Sequence, residues 1–106
     1  MIITPAAMII GRPTTATMGL VRGNTIRARH IGKDIIAVFK NIIGGEIEEY
    51  TKMMAESREQ AIDRMVAQAL SLGADAVLNV RFSTSVVMNG ASEMLAYGEA
   101  VKLDRL

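Results

Sequence analysis

His30 is the single imidazole of the chain, and no cysteine accompanies it. A transition-metal centre needs several His or Cys ligands, with Met accepted by soft ions. One chain therefore offers His30 as a candidate ligand but no complete site. The eight methionines do not complete one. Met54 and Met65 fall on the apolar stripe of a helix, and Met18 and Met94 fall within strand patterns, so gap-filling core packing is the better account. Glu49, Glu56, Glu59 and Asp63 recur along one helix side and suggest an acid–base pair or a calcium surface. They lie opposite the apolar stripe, however, where a solvated face belongs. Gly44 and Gly45 before a helix suggest a phosphate cradle. No Gly-Lys-Ser/Thr follows, and Glu46, Glu48 and Glu49 occupy the ground an anion would use, so a tight turn between helices fits better. The chain has no Gly-x-Ser-x-Gly elbow, no His/Asp partner for a serine and no dinucleotide fingerprint. The expectation is a protein that is not an enzyme.

Charge is distributed unevenly. Residues 1–33 carry Arg12, Arg22, Arg27, Arg29 and Lys33 with no acid, while the remainder holds seven bases against eleven acids. Arg22, Arg27, Arg29 and Lys33 are thus the candidate contacts for nucleic acid or another anion. Aromatics for base stacking are missing from that block, since the only ones are Phe39, Tyr50, Phe82 and Tyr97. Complementarity between a basic segment of one copy and an acidic helix of another is the better reading. Nucleic acid is not the expected partner.

The elements that must position these residues come from a chain of 106 residues, read as a single domain over 1–106. Half of the residues are apolar and mean hydropathy is +0.26. The longest runs free of charge, Met1–Gly11 and Phe82–Ser92, fall short of the roughly 18–20 residues a spanning helix needs. No Lys or Arg precedes Arg12, so a signal peptide's basic lead is missing, and a cytoplasmic protein without membrane contact is expected. A small domain buries only about 60% of its extended-chain surface, so part of the apolar half needs another destination.

The spacing predicts a helix from Glu46 to Leu72. Ile47, Tyr50, Met54, Ala61, Met65, Ala69 and Leu72 form its stripe, and Gly73 stands at the left-handed C-cap. Ala76, Leu78, Val80 and Phe82 alternate with Val77, Asn79, Arg81 and Ser83, the period of a strand. Asn89-Gly90 is a hairpin signal, and a return strand from Glu93 to Leu103 carries Leu95, Tyr97, Val101 and Leu103 on one face. Gly98 in that strand marks a bulge or a close backbone approach. Upstream, Thr15–Arg22 and Thr25–Arg29 read as two short strands around Gly23-Asn24, and Ile31–Ile43 as a short helix. Met1–Ile3 and Met8–Ile10 read as short strands that Pro5 and Pro13 confine to edges. The expected class is α+β, a two-layer subunit with one long helix on a small antiparallel sheet. Its outer face would leave Val77, Val87 and part of the Leu95, Tyr97 and Val101 row to cover, and a closed ring of identical subunits would do so. Arg58 and Arg81 read as structural, Arg58 placed to pair with Asp34 or Asp75 and Tyr97 supplying a hydroxyl to the same network.

The joint order of several blocks is distinctive. Gly19-Leu20-Val21-Arg22-Gly23 is followed by Asp34 with Ala37, then Gly44-Gly45-Glu46 leading to Tyr50. Arg58 with Ala61, Leu72-Gly73-Ala74-Asp75-Ala76-Val77, and Leu95-Ala96-Tyr97-Gly98 with Ala100-Val101 complete the set. Over essentially its full length the chain resembles the YbjQ-like family, small bacterial and archaeal proteins labelled as heavy-metal-binding. The resemblance implies a dodecin-like βαββ subunit whose extra short N-terminal strands serve a homopentameric ring. It also implies that His30 would recur five times around an axis, with a heavy metal as the only cofactor suggested. Where similar proteins read Tyr-Gly-Thr-Ala-Val, this chain has Glu99 in place of the threonine. Tyr97, Glu99 and the Asp34 segment are accordingly the candidate ligand site between subunits.

Overall fold

A computed structural model describes the backbone of residues 1–28, 45–88 and 91–105, and side-chain surroundings within 1–26, 52–86 and 91–105. Among the described residues four strands and one helix are seen: β1 Ile2–Ile3, β2 Thr14–Ala28, α1 Gly45–Ser71, β3 Ala76–Met88 and β4 Ala91–Leu103. The sheet order is β1-β3-β4-β2. The class is α+β as expected, but the sheet is mixed rather than antiparallel, because β1 runs parallel to β3. Among the described residues no helix is long and apolar enough to cross a membrane.

α1 forms where the sequence is free of glycine and proline after its first residue. Ala61, Met65 and Ala69 are fully buried, Met54 and Ile62 pack at the cluster's margin, and Lys52, Glu56, Glu59 and Asp63 stand in solvent. Leu72 is a correction to the predicted stripe, being 43% exposed. The helix has already ended there. Gly73 takes φ +79°, its N–H donates to the Leu70 carbonyl at 3.0 Å, and the Ala74 N–H donates to the Ala69 carbonyl at 3.1 Å. These two bonds are the Schellman closure, which turns the chain before Leu72 can reach the core.

Thr14–Ala28 is one continuous strand, not two short ones. Gly23 is no turn: a Cβ there would run into the Ala61 carbonyl, the Met65 amide and the Arg64 side chain. Its missing side chain lets α1 lie directly on β2. The outer edge of β2 is partly closed by the same helix, since Gln68 Oε1 accepts from the Arg22 amide at 2.7 Å and the Arg64 guanidinium donates to the Asn24 carbonyl. β3 and β4 pair as the hairpin signal predicts, with Met88 opposite Ala91, while Asn89-Gly90 itself lies outside the described residues. So does the predicted Ile31–Ile43 helix. Met8–Ile10 contributes only a bridge between Ile9 and Arg12.

The predicted alternation of β3 fails at Asn79. That residue has φ 55°, and the register with β4 shifts between Leu78 and Arg81. A bulge of this kind sets two residues against one and moves later side chains to the other face. Val80 therefore joins Val77 on the helix side, and Phe82 follows, instead of sharing a face with Ala76 and Leu78. The helix-side core is Val21, Ala61, Met65, Ala69, Ala74, Val77, Val80, Met94, Ala96 and Ala100. A smaller core on the other face holds Ala76, Leu78, Val101 and Leu103, covered by Ile9. Val77 and Val101, expected on an open face, are consequently buried at 0% and 1% exposure. Val87 lies among the residues whose side chains are not described. Gly98 behaves as its position suggested: a Cβ would stand 2.6 Å from Val77 Cγ1 and 2.8 Å from the Leu78 carbonyl oxygen.

Candidate functional site

Two bulges flank one stretch of β4. On one side Gly19 (φ +107°) follows a register shift after Thr17, and on the other Asn79 makes the bulge of β3. Between them Leu20 and Leu78 both stand opposite Glu99. Tyr97 and Glu99 are two residues apart on a strand, so their side chains share a face. That face is the one opposite α1. A concavity of about 390 Å³ results, lined by Gly19, Leu20, Asn79, Tyr97, Gly98 and Glu99. Irregular backbone is common beside sites of this kind, because a bulge re-aims side chains away from the regular pleat.

The N-terminal segment holds the bulge in place. The Thr4 amide donates to the Val77 carbonyl at 3.0 Å, the Asn79 amide to the Ala6 carbonyl at 2.9 Å, and the Val80 amide to the Thr4 carbonyl at 3.0 Å. The Arg81 guanidinium donates to the Pro5 carbonyl at 3.0 Å and to its own neighbour's carbonyl, that of Val80, at 2.9 Å. These contacts tie the Arg81 side chain to the N-terminal segment beside the bulge.

Of the predicted ligand site, Tyr97 and Glu99 are brought together and Asp34 lies outside the described residues. His30, Arg29, Lys33 and Gly44 also lie outside them. Arg22 is exposed on β2 opposite Tyr97, and the backbone of Arg27 pairs with Ser92. Gly45 opens α1 and Tyr50 belongs to its backbone. No group of three or more His, Cys, Asp or Glu that could hold a metal occurs among the described residues. Met65 and Met94 are buried in the helix-side core, with Met18 and Met54 packed against it, as their spacing indicated. Arg58 is exposed on α1, about 20 Å of helix from the C-terminal end that leads to Asp75, so the pairing with Asp75 is not formed; its alternative partner, Asp34, lies outside the described residues. Sequence reasoning missed Gly19, Leu20 and Asn79 as lining residues. Their signal was present, since Gly and Asn inside strand patterns mark bulges.

Asp75 has different partners. Its Oδ2 accepts from the Leu103 amide at 2.9 Å, and its own amide donates to the Val101 carbonyl at 2.9 Å. The Leu103 bond holds its carboxyl below the ordinary value, aided by Lys102, Arg12 and Arg105 and opposed by desolvation. A depressed native pKa contributes stability above the unfolded value, lost as pH falls through the native one. Asp75→Asn is therefore expected to be less stable than the parent at pH 7, with a shallower loss below about pH 4. Urea midpoints measured from pH 7 to pH 3 check this; parallel profiles for the two proteins would reject it.

Among the described residues, one helix on one face of a four-stranded mixed sheet, with a bulge-lined hollow on the other, defines a two-layer α+β class. The chain belongs to the YbjQ family, described as "Putative heavy-metal-binding", which it matches over residues 1–104. A UPF0145 protein of Photobacterium profundum is 58% identical, covering 90% of this chain and 92% of its own length. Another, from Methanosarcina acetivorans, is 55% identical over 97% of both. The crystal structure of a DUF74-family protein of unknown function from Pediococcus pentosaceus covers 98% of both chains with a TM-score of 0.66. At 17% identity that likeness carries the fold alone.

Proposed function

We propose that this protein works as a homo-oligomeric ring with a binding or structural role, its ligand site lying where subunits meet. The carrying observation is the surface. The chain exposes 7181 Å², whereas a compact monomer of its mass exposes about 5,800 Å². Its radius of gyration is 17.6 Å and its long axis 57 Å, against roughly 13 Å for a compact chain of this length. The excess, about 1,400 Å² on one chain, is of the order that two standard faces of about 800 Å² each would bury, one toward each neighbour in a ring. Its apolar share has an address: Phe82 and Val86 are 46% and 75% exposed on β3, and Leu20 is 66% exposed on β2.

The two long edges of the sheet are unlike. Gln68 and Arg64 guard part of the β2 edge, whereas the stretch Arg81–Met88 of β3 lies beyond the two residues that β1 pairs. Unlike edges favour head-to-tail contacts, which close into rings, over two-fold pairing. Five dodecin-like subunits, with the N-terminal segments engaged in assembly, is the count that the family resemblance supplies. The reading includes no catalytic step and places the protein in the cytoplasm. Heavy-metal binding at His30 is the second reading, favoured by the family description.

Native mass spectrometry of untagged protein tests both together. A species of five 11.5 kDa chains is expected, with any retained metal or small molecule read in the same spectrum. A stable monomer at micromolar concentration overturns the ring. Metal content that is substoichiometric and unchanged in His30→Ala overturns the metal reading.

A further inference from the structure

Glu99 is a half-buried carboxylate in apolar company. Leu20 and Leu78 stand opposite it on the two neighbouring strands, and Tyr97 and Val101 are its same-face neighbours along β4. Leu78 and Val101 are themselves buried. No hydrogen bond or ion pair reaches the Glu99 side chain among the described residues. Drawing a carboxylate out of water is costly unless a cation or donor meets it. The hollow of about 390 Å³ in front of it is within the size range of small-ligand sites.

We propose that this hollow is a receptor site for one organic cation, an alkylammonium or guanidinium group, and this deepens the reading of a site between subunits. Three features select that class. The Glu99 carboxylate supplies a charge-assisted acceptor. The Tyr97 ring lies two residues away on the same face and offers its negative π-surface to a cation. Leu20 gives an apolar wall for the methylenes that an organic cation carries and a bare metal ion does not. A metal ion would instead seek several oxygen, nitrogen or sulfur ligands, and Glu99 is the only carboxylate among the lining residues. Arg22 stands opposite Tyr97 and is exposed, two pairs along from Glu99 on the same face, yet makes no ion pair with it. The same chemistry can come from a free small molecule or from an Arg or Lys side chain of a second copy.

The test uses full-length protein titrated with methylguanidinium chloride and with butylammonium chloride, against sodium chloride at equal ionic strength. Amide shifts of Leu20, Asn79, Gly98 and Glu99 are followed by NMR, and sedimentation velocity is run on the same samples. Saturable shifts are expected with both organic cations and not with sodium. Glu99→Gln should weaken them about tenfold and Tyr97→Leu about threefold, whereas Tyr97→Phe, which keeps the ring, should retain them. Circular dichroism verifies that each variant folds, and Tyr97→Phe and Glu99→Gln remain informative if Tyr97→Leu does not. Saturable binding assigns a free ligand. No binding to the assembled protein, combined with an assembly that Glu99→Gln makes dissociate at about tenfold higher concentration, assigns the cation to a neighbouring copy. Neither result, or Glu99-dependent binding only of cadmium chloride in a parallel titration, overturns the proposal. A monomer that binds the cations keeps the site and ends the ring; a ring indifferent to them does the reverse.

Discussion

Gly23→Ala is expected to cost this protein about 3 kcal/mol or more, at or above the upper end for overpacked cores. The reason is what the added methyl would meet: the Ala61 carbonyl, the Met65 amide and the Arg64 Cβ. Two of these are helix backbone, which cannot swing aside as a side-chain tip does. α1 would have to lift from β2, and the helix-side core between them would open. The bond from the Thr25 hydroxyl to the Ser57 carbonyl, 2.7 Å, and the clasp of Gln68 on the Arg22 amide would lengthen together. For a domain of this length the corresponding drop in melting temperature is about 12–24 °C. Thermal melts followed by circular dichroism measure it. A drop of only a degree or two would mean that α1 does not rest on β2 as described.

Met65→Ala should have the second large effect, about 3 kcal/mol within the usual range of 2–5 for such truncations. Met65 is fully buried and heads the largest fully enclosed side chains. Its neighbours in the core are mostly small, with Ala61, Ala69, Ala96 and Ala100 among them, so few long side chains are at hand to fill the space. Met65→Leu, nearly equal in volume, should cost less than about 1.5 kcal/mol. Urea unfolding of the pair measures the contrast, and equal losses in both variants would contradict a filling role.

Much of this arrangement was legible in the residues. The helix was readable because Ala61, Met65 and Ala69 repeat at its period and Gly73 closes it. The face of Tyr97 and Glu99 followed from the two-residue period of β4, which runs unbroken from Ala91 to Val101 apart from its bulged partners. Gly23 misled for a physical reason. Glycine serves turns and close approaches alike, and only the position of a helix some forty residues later tells them apart. Asn79 misled in the same way, since a single left-handed residue inverts the pattern of everything after it. Leu72 failed because periodicity carries no information about where the closing hydrogen bonds fall. The mixed sheet was hidden because β1 is two residues long and its parallel partner is more than seventy residues away.

The extra residue at Asn79 acts as a phase shift in a two-beat pattern. Upstream of it, odd-numbered Val77 faces the helix; downstream, even-numbered Val80, Phe82 and Val86 do. Drawing Asn79 into the regular ladder, with no residue removed, would let the simple alternation run on and carry Phe82 and Val86 to the side of Leu78. The sticky end of the hairpin would then be offered to the opposite half-space. One backbone angle therefore decides which face of the sheet carries the exposed Phe82 and Val86.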